Sequence, residues 1–342
     1  VEPGTGMIKA MLGGNAVSES RGLNRATQIH RQPGSSFKPF LYGELLYKGY
    51  TLATPLLDSQ IVVDAGKAWE WKPANDNNSY SGKMIPMIDA IENSVNLAAA
   101  HAITELTSPD SVVSFSHLLG IKSAIPSFPS IALGTGEVTP LEMASSLSVF
   151  ASSGLYAEPY SIIKIEDKNG KVIYSNQNEK RVVLDSATTY LLTTALENVV
   201  NYGTASSVRR FYNGIAAGKT GTTQNYTDAW FVGYTPFLST AVWVGYDNPS
   251  KKMTKGFQYG GTVCAPIWGK MMASIAPKFS FINSDFIQPT SIGDELLCVD
   301  SGELATEYCK QTKSYPVNIE SLPPRCRLHS PEEEHYDIFY GW

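Results

Sequence analysis

Three strand-like segments late in the chain, 215–221, 229–234 and 240–246, are joined by connections too short for anything but antiparallel pairing. A parallel crossover needs a dozen residues or more. Within the last of them Ala241-Val242-Trp243-Val244 is apolar at every position, which predicts a strand covered on both faces. An earlier segment, 7–12, also has strand character and stops at Gly13-Gly14. Helical patterns fill the middle, so closing the fold requires the N-terminal strand to join the late ones in one antiparallel sheet. The chain is therefore expected to be α/β, of the α+β type.

Between the strands the punctuation is clear. From Ser35, apolar residues fall at Phe37, Phe40, Leu41 and Leu45, the spacing of a helix facing a core. Pro39 lacks a backbone N–H, which is harmless only near a helix start, so the helix begins close to Ser35. Residues 89–106 are helical in character but interrupted by Asn93-Ser94 and Asn96. A helix opened by proline is expected over 140–150, a hairpin around Asn169-Gly170, and an amphipathic helix through Leu192, Ala195, Leu196 and Val199 that Gly203 can end. Beyond about residue 275 the chain shifts to Pro, Cys and charge without clear periodicity. The division expected is a domain over 1–275 and a C-terminal appendage over 276–342 with little regular structure.

With 27 Lys+Arg against 32 Asp+Glu the net charge is −5, which argues against a nucleic-acid partner. No run approaches the roughly 18 apolar residues of a membrane span. The first residues, Val1-Glu2-Pro3-Gly4-Thr5-Gly6, read as a turn leading into a strand rather than a signal peptide, and no Met opens the chain. It is expected to begin inside a longer polypeptide, with any membrane anchor upstream.

Three short motifs carry chemistry. Ser35-Ser36-Phe37-Lys38 puts a hydroxyl and an amine on one face of a helix start. A serine is a weak nucleophile until a base reaches it, and a helix N-terminus adds unpaired N–H groups. Ser94-Val95-Asn96 stands in the polar interruption, where by itself it suits capping. Lys219-Thr220-Gly221, continued by Thr222-Thr223, invites comparison with a phosphate loop, but that motif needs a glycine at 213, where Asn213 stands, and a following helix rather than a strand. S-x-x-K, S-D-N and K-T-G are the signature of penicillin-binding proteins and class A β-lactamases, and the three motifs here stand in that order with Val95 in the place of the Asp.

The resemblance extends beyond the motifs. Asn24-Arg25-Ala26-Thr27, the segment Arg31 to Phe40, Ala132-Leu133-Gly134, Val138-Thr139-Pro140-Leu141-Glu142-Met143-Ala144, and Ala217 to Thr223 with Asp228-Ala229-Trp230-Phe231 resemble the transpeptidase domain of class A (bifunctional) penicillin-binding proteins over residues 1–275. The resemblance implies a β-lactamase/transpeptidase-like fold, with a five-stranded antiparallel sheet flanked by helices and a helical subdomain. It implies a serine-type D,D-transpeptidase that acts on peptidoglycan stem peptides ending in D-Ala-D-Ala, acylated by β-lactams, on the outer face of the cytoplasmic membrane.

By the same resemblance Ser35 is the nucleophile, Lys38 the base that activates it, Ser94 the proton relay and Lys219 the second cation. Asn96 holds a donor carbonyl, and Thr220 and Thr222 bind the substrate carboxylate. Gly221 admits a peptide backbone to the strand edge, and the N–H groups of Ser35 and Thr222 form the oxyanion hole. No cofactor or metal is implied, and no histidine; His30 reads as a loop residue. Val95 replaces the Asp of the β-lactamase motif, without chemical cost. No glycosyltransferase segment is recognisable. Alternatives of the same fold are a D,D-carboxypeptidase or β-lactamase, with water as acceptor, or a non-catalytic peptidoglycan-binding module.

Other signals are weaker. Trp71, Tyr80, Asn75, Asn77 and Asn78 could line a peptide or glycan cleft or form an ordinary polar loop. Cys298, Cys309, Cys326 and His329 invite a zinc reading, but ten residues separate the first two, unlike a finger. Outside the cytoplasm one disulfide plus a spare thiol is preferred. Cys264 reads as structural, and the tail from Pro331 to Trp342 as solvated.

Overall fold

The computed structural model of the chain describes residues 1–14, 22–64, 66–67, 70–223, 225–254, 259–278 and 284–329. The tail from Pro331 lies outside them.

At the centre is the antiparallel sheet of the late strands: β1 (Ala217–Thr222), β2 (Asp228–Tyr234) and β3 (Ser239–Gly245), in that spatial order. The fully covered strand is β2, every residue of which is buried; β3, expected to be covered on both faces, is half-buried at six of its seven positions. The reason is position: β3 lies at the edge among the described residues, so the helices Pro140–Ala151 and Cys264–Ile275, one on each face, cover it only in part.

Side chains of β2 alternate between two layers. Phe231 meets Trp268 of the helix Cys264–Ile275 edge-on, with ring centroids 5.5 Å apart. Tyr234 points the other way, its hydroxyl 3.0 Å from that of Thr193 on the helix Ser186–Asn201, its ring near Phe150 on the helix Pro140–Ala151. Helices therefore cover both faces of a mixed α/β domain. Thr139 and Glu142 cap the Pro140 helix reciprocally, which explains why proline follows threonine there.

The sheet has three strands among the described residues, and segment 7–12 does not join it. Gly4 and Gly6, at φ 69° and 76°, turn the chain away, so Ile8 N–H donates to the Tyr160 carbonyl instead. A Cβ on Gly6 would stand 2.4 Å from the Glu158 carbonyl oxygen. Val1 meets the late strands instead, exchanging two main-chain hydrogen bonds with Ser239.

The C-terminal region is more ordered than its composition suggests. Strands β4 (Ile292–Cys298) and β5 (Thr312–Asn318) pair antiparallel over seven residues. Ile292, Leu297, Tyr315 and Val317 are buried and belong to the main hydrophobic core. The periodicity was hidden because the strand is short, bears charge on its outer face and encloses a loop of 13 residues from Val299 to Gln311.

Candidate active site

A tight 3₁₀ turn, Gly34–Phe37, carries Ser35 and runs directly into helix α1 (Lys38–Tyr47) with Pro39 in its first turn. Gly34 has φ +56°, and a Cβ there would lie 2.5 Å from the Thr222 carbonyl oxygen, so only glycine fits. Four contacts hold this turn in place, three of them against the sheet. Gly34 N–H donates to the Gly134 carbonyl, and Trp230 Nε1 donates to the Gln32 carbonyl at 2.9 Å. Arg31 Nε reaches Asp228 at 2.6 Å in a buried ion pair, and Asp228 also accepts from Trp243 and Thr227. Gly221 meets Pro33: a Cβ at 221 would stand 2.1 Å from the Pro33 carbonyl oxygen. The segments Ala132–Gly134 and Asp228–Phe231 thus serve as the clamp that aims the serine turn.

The 89–106 interruption becomes two helices, α2 (Met87–Glu92) and α3 (Asn96–Glu105), with Ser94 between them. Ser94 has φ +57°, a costly conformation for a non-glycine residue of the kind that concentrates at functional sites. It projects the hydroxyl between two amines. Lys219 Nζ donates to Ser94 Oγ at 2.8 Å, while Lys38 Nζ lies 3.3 Å from that oxygen and donates to the Ser94 carbonyl at 2.7 Å and Asn96 Oδ1 at 2.8 Å. Both lysines are fully buried.

Charge follows from this geometry. Burial first, and the Lys219 ammonium second, hold Lys38 well below the ordinary lysine range. Burial likewise pulls Lys219 down to about 7, with Asp76 acting in the opposite direction. Ser35, Ser94, Thr220 and Thr222 open onto one cleft of about 380 Å³. The sequence motifs at 35, 94 and 219 therefore meet at one place.

Several details differ from the expected roles. Gly221 is required where strand meets serine turn, a close approach to Pro33 that its expected role toward a substrate backbone did not include. Asn96 Nδ2 is already engaged, donating to the Ala74 carbonyl and to Asp76. Thr220 shares a 2.7 Å hydrogen bond with Thr204, and Thr222 Oγ1 accepts from Gly260 N–H. His30 bonds Ser123 outside the cluster.

Of the polar loop, Asn75 proves structural: its side-chain oxygen accepts from the N–H groups of Asn96 and Leu97, and its amide donates to Asp58. Asp76, Thr204, Arg210 and Tyr259 also line the cleft and carry no motif that would have marked them. Only the density of Asn and Asp over 75–78 hinted at the first.

The cysteines depart furthest from expectation. None forms a disulfide; Cys264 is buried in its helix, and the thiols of Cys298 and Cys326 both face one imidazole nitrogen of His329, at 3.4 and 3.6 Å. A disulfide would need sulfurs about 2.04 Å apart, and here the imidazole sits against both instead.

Comparisons with known proteins bear on the whole domain. Residues 1–273 match the family of the penicillin binding protein transpeptidase domain. Penicillin-binding protein 1A of Neisseria lactamica is 37% identical over 274 residues, covering 77% of this chain and 34% of its own length. The 2.6 Å crystal structure of penicillin-binding protein 1A from Haemophilus influenzae superposes with a TM-score of 0.79 at 25% identity, over 89% of this chain and 50% of that one. A Mycobacterium tuberculosis relative solved in complex with penicillin V gives 0.74 at 28% identity, over 85% and 79%. The chain spans about a third to two-fifths of the length of the curated relatives it matches. No helix among the described residues is long and apolar enough to cross a membrane. The chain belongs to the penicillin-binding protein transpeptidase domain family.

Proposed function

We propose that this chain is a peptidoglycan D,D-transpeptidase that works through a serine acyl-enzyme. The observation that carries the reading is the Ser94 hydroxyl held between two buried lysine amines beside the cleft that Ser35 enters. A neutral amine at Lys38 takes the Ser35 proton as Oγ attacks the carbonyl between two D-alanines. Ser94, receiving a hydrogen bond from Lys219, passes its proton to the departing amine of the terminal D-alanine and takes the one held by Lys38 in its place. The ester left on Ser35 is then attacked by the amine of a second stem peptide, whose proton returns by the same route and restores the serine.

The electrostatics favour this division of labour. Lys38 bears the stronger downward influences, burial and Lys219 together, and so is the base. Lys219 titrates close to neutrality and supplies positive charge on the cleft floor. Thr220 and Thr222 offer hydroxyls to the substrate carboxylate, and the exposed Arg210 on the cleft wall adds a second cation. A donor carbonyl that binds Asn96 does so by displacing Asp76 from the amide. The N–H groups of Ser35 and Thr222 are assigned to the oxyanion, each such donor being worth about 10²–10³ in rate.

β-Lactams acylate Ser35 by the same attack, as the penicillin V complex of the mycobacterial relative suggests by analogy. Work on stem peptides places the domain on the outer face of the cytoplasmic membrane. A carboxypeptidase or β-lactamase shares the acylation half and differs only in its acceptor.

Intact-mass analysis after benzylpenicillin tests the nucleophile: the wild type gains one penicillin mass and Ser35→Ala gains none. Incubating the enzyme with a D-Ala-D-Ala peptide and an acceptor amine tests the transfer, which must yield an aminolysis product. Hydrolysis alone would replace the transpeptidase reading by the carboxypeptidase one.

A further inference from the structure

The cysteine-rich end of the appendage converges on a point. Cys298 closes strand β4, Cys309 sits in the β4–β5 loop, and Cys326 and His329 come from the segment after β5. Their three sulfurs and one imidazole nitrogen all lie within 4.8 Å of one another. We infer that Cys298, Cys309, Cys326 and His329 form a structural zinc site that fastens the appendage to the transpeptidase domain.

The donor set and its dimensions both fit. Three cysteines and one histidine make a closed tetrahedral site, with Zn–S about 2.3 Å and Zn–N about 2.0–2.1 Å. Such a tetrahedron has a sulfur–nitrogen edge of about 3.5 Å, and the two recorded here are 3.4 and 3.6 Å. The surroundings have the form of an outer ligand shell. His329 turns Nδ1 to the sulfurs and Nε2 toward Asp300, 3.4 Å away, the carboxylate–histidine arrangement that fixes a metal-binding tautomer. Ser301 Oγ donates to Cys326 Sγ at 3.3 Å, and Thr306 N–H donates to Cys309 Sγ at 3.3 Å. On binding, each thiol gives its proton to solvent and the imidazole stays neutral, so three thiolates and Zn²⁺ leave one net negative charge.

The position explains what the metal does. The β4–β5 ribbon rests on the main core, and the turn, the loop and the segment after β5 that carry the four ligands are joined by main-chain hydrogen bonds such as Leu304 N–H to the Pro324 carbonyl and Cys326 N–H to the Leu304 carbonyl. The turn after Cys298 docks on the domain: Gly302, at φ +70°, takes a hydrogen bond from Thr51 at its carbonyl, and a Cβ there would stand 2.9 Å from the Ala53 carbonyl oxygen. A metal joining residues 298, 309, 326 and 329 locks that turn to both the loop and the following segment.

The test uses the untagged chain purified without chelator. Elemental mass spectrometry should find one zinc per chain, and both Cys326→Ser and His329→Ala should fall to background. Replacing zinc by cobalt(II) should produce the visible bands of a tetrahedral thiolate-bound ion. Titration of thiols after denaturation should count all four cysteines as reduced. Labelling of the two variants by fluorescent penicillin reports whether the transpeptidase domain still folds, and the cobalt and thiol readings of the wild type stand whether or not they fold. A wild-type chain that takes up no zinc or cobalt, a disulfide joining any two of Cys298, Cys309 and Cys326, or a well-folded His329→Ala that keeps a full equivalent of zinc would each overturn the inference.

Discussion

Gly221→Ala separates packing from substrate binding at the strand edge. A methyl group at this position starts 2.1 Å from the Pro33 carbonyl oxygen and 2.9 Å from Ser36 Oγ. Ordinary contact begins near 3.4 Å, so one side must retreat by about 1 Å. β1 is pinned by six consecutive residue pairs with β2, whereas the turn over 33–36 is held by a handful of hydrogen bonds. The turn therefore yields, and Ser35 moves with it. Overpacking of this kind costs about 1–3 kcal/mol, and a displacement of about 1 Å at a reacting group costs on the order of 10²-fold in rate. Urea denaturation measures the first quantity, and the second-order rate of fluorescent-penicillin acylation the second. Both should fall together. If acylation stays within about threefold of wild type with stability unchanged, the clamp argument is wrong. Slower acylation with unaltered stability would instead restore a substrate-contact role for Gly221.

Three further outcomes follow from buried charge. Acylation needs a neutral Lys38 and a charged Lys219, so its rate should decline as pH rises through about 7, where Lys219 loses its proton; Lys219→Arg, which stays charged, should move that decline to higher pH at reduced amplitude. The same group bears on stability. Its folded pKa lies below the ordinary lysine value of 10.5, so between about 7 and 10.5 the unfolded chain binds more protons and stability rises with pH, by up to about 1.4 kcal/mol per unit. The wild type should gain on Lys219→Met over this window in urea titrations, and a gap that narrows would contradict the assignment. Arg31→Met leaves the Asp228 carboxylate buried without its cation and should cost about 3–5 kcal/mol; a midpoint shift worth less than about 1 kcal/mol would show that Trp243 and Thr227 suffice to hold it.

Local chemistry determined much of this protein before any coordinates. Pro39 and the spacing of Phe37, Phe40 and Leu41 placed the helix start at the serine, and short connections made the late strands antiparallel. These are effects of neighbours in the chain, where a missing N–H or a two-residue period leaves a direct mark. What the sequence could not express is contact between distant residues. Ser94 reaches Lys38 across 56 positions and Lys219 across 125, and only folding shows that one hydroxyl serves both. Gly221 looked like room for a substrate because its true neighbour, Pro33, lies in another segment. Cys298, Cys309 and Cys326 looked like candidates for pairing because spacing along a chain says nothing of distance across a loop. Their meeting at His329 is a product of the β4–β5 ladder, which brings the ends of a long loop together.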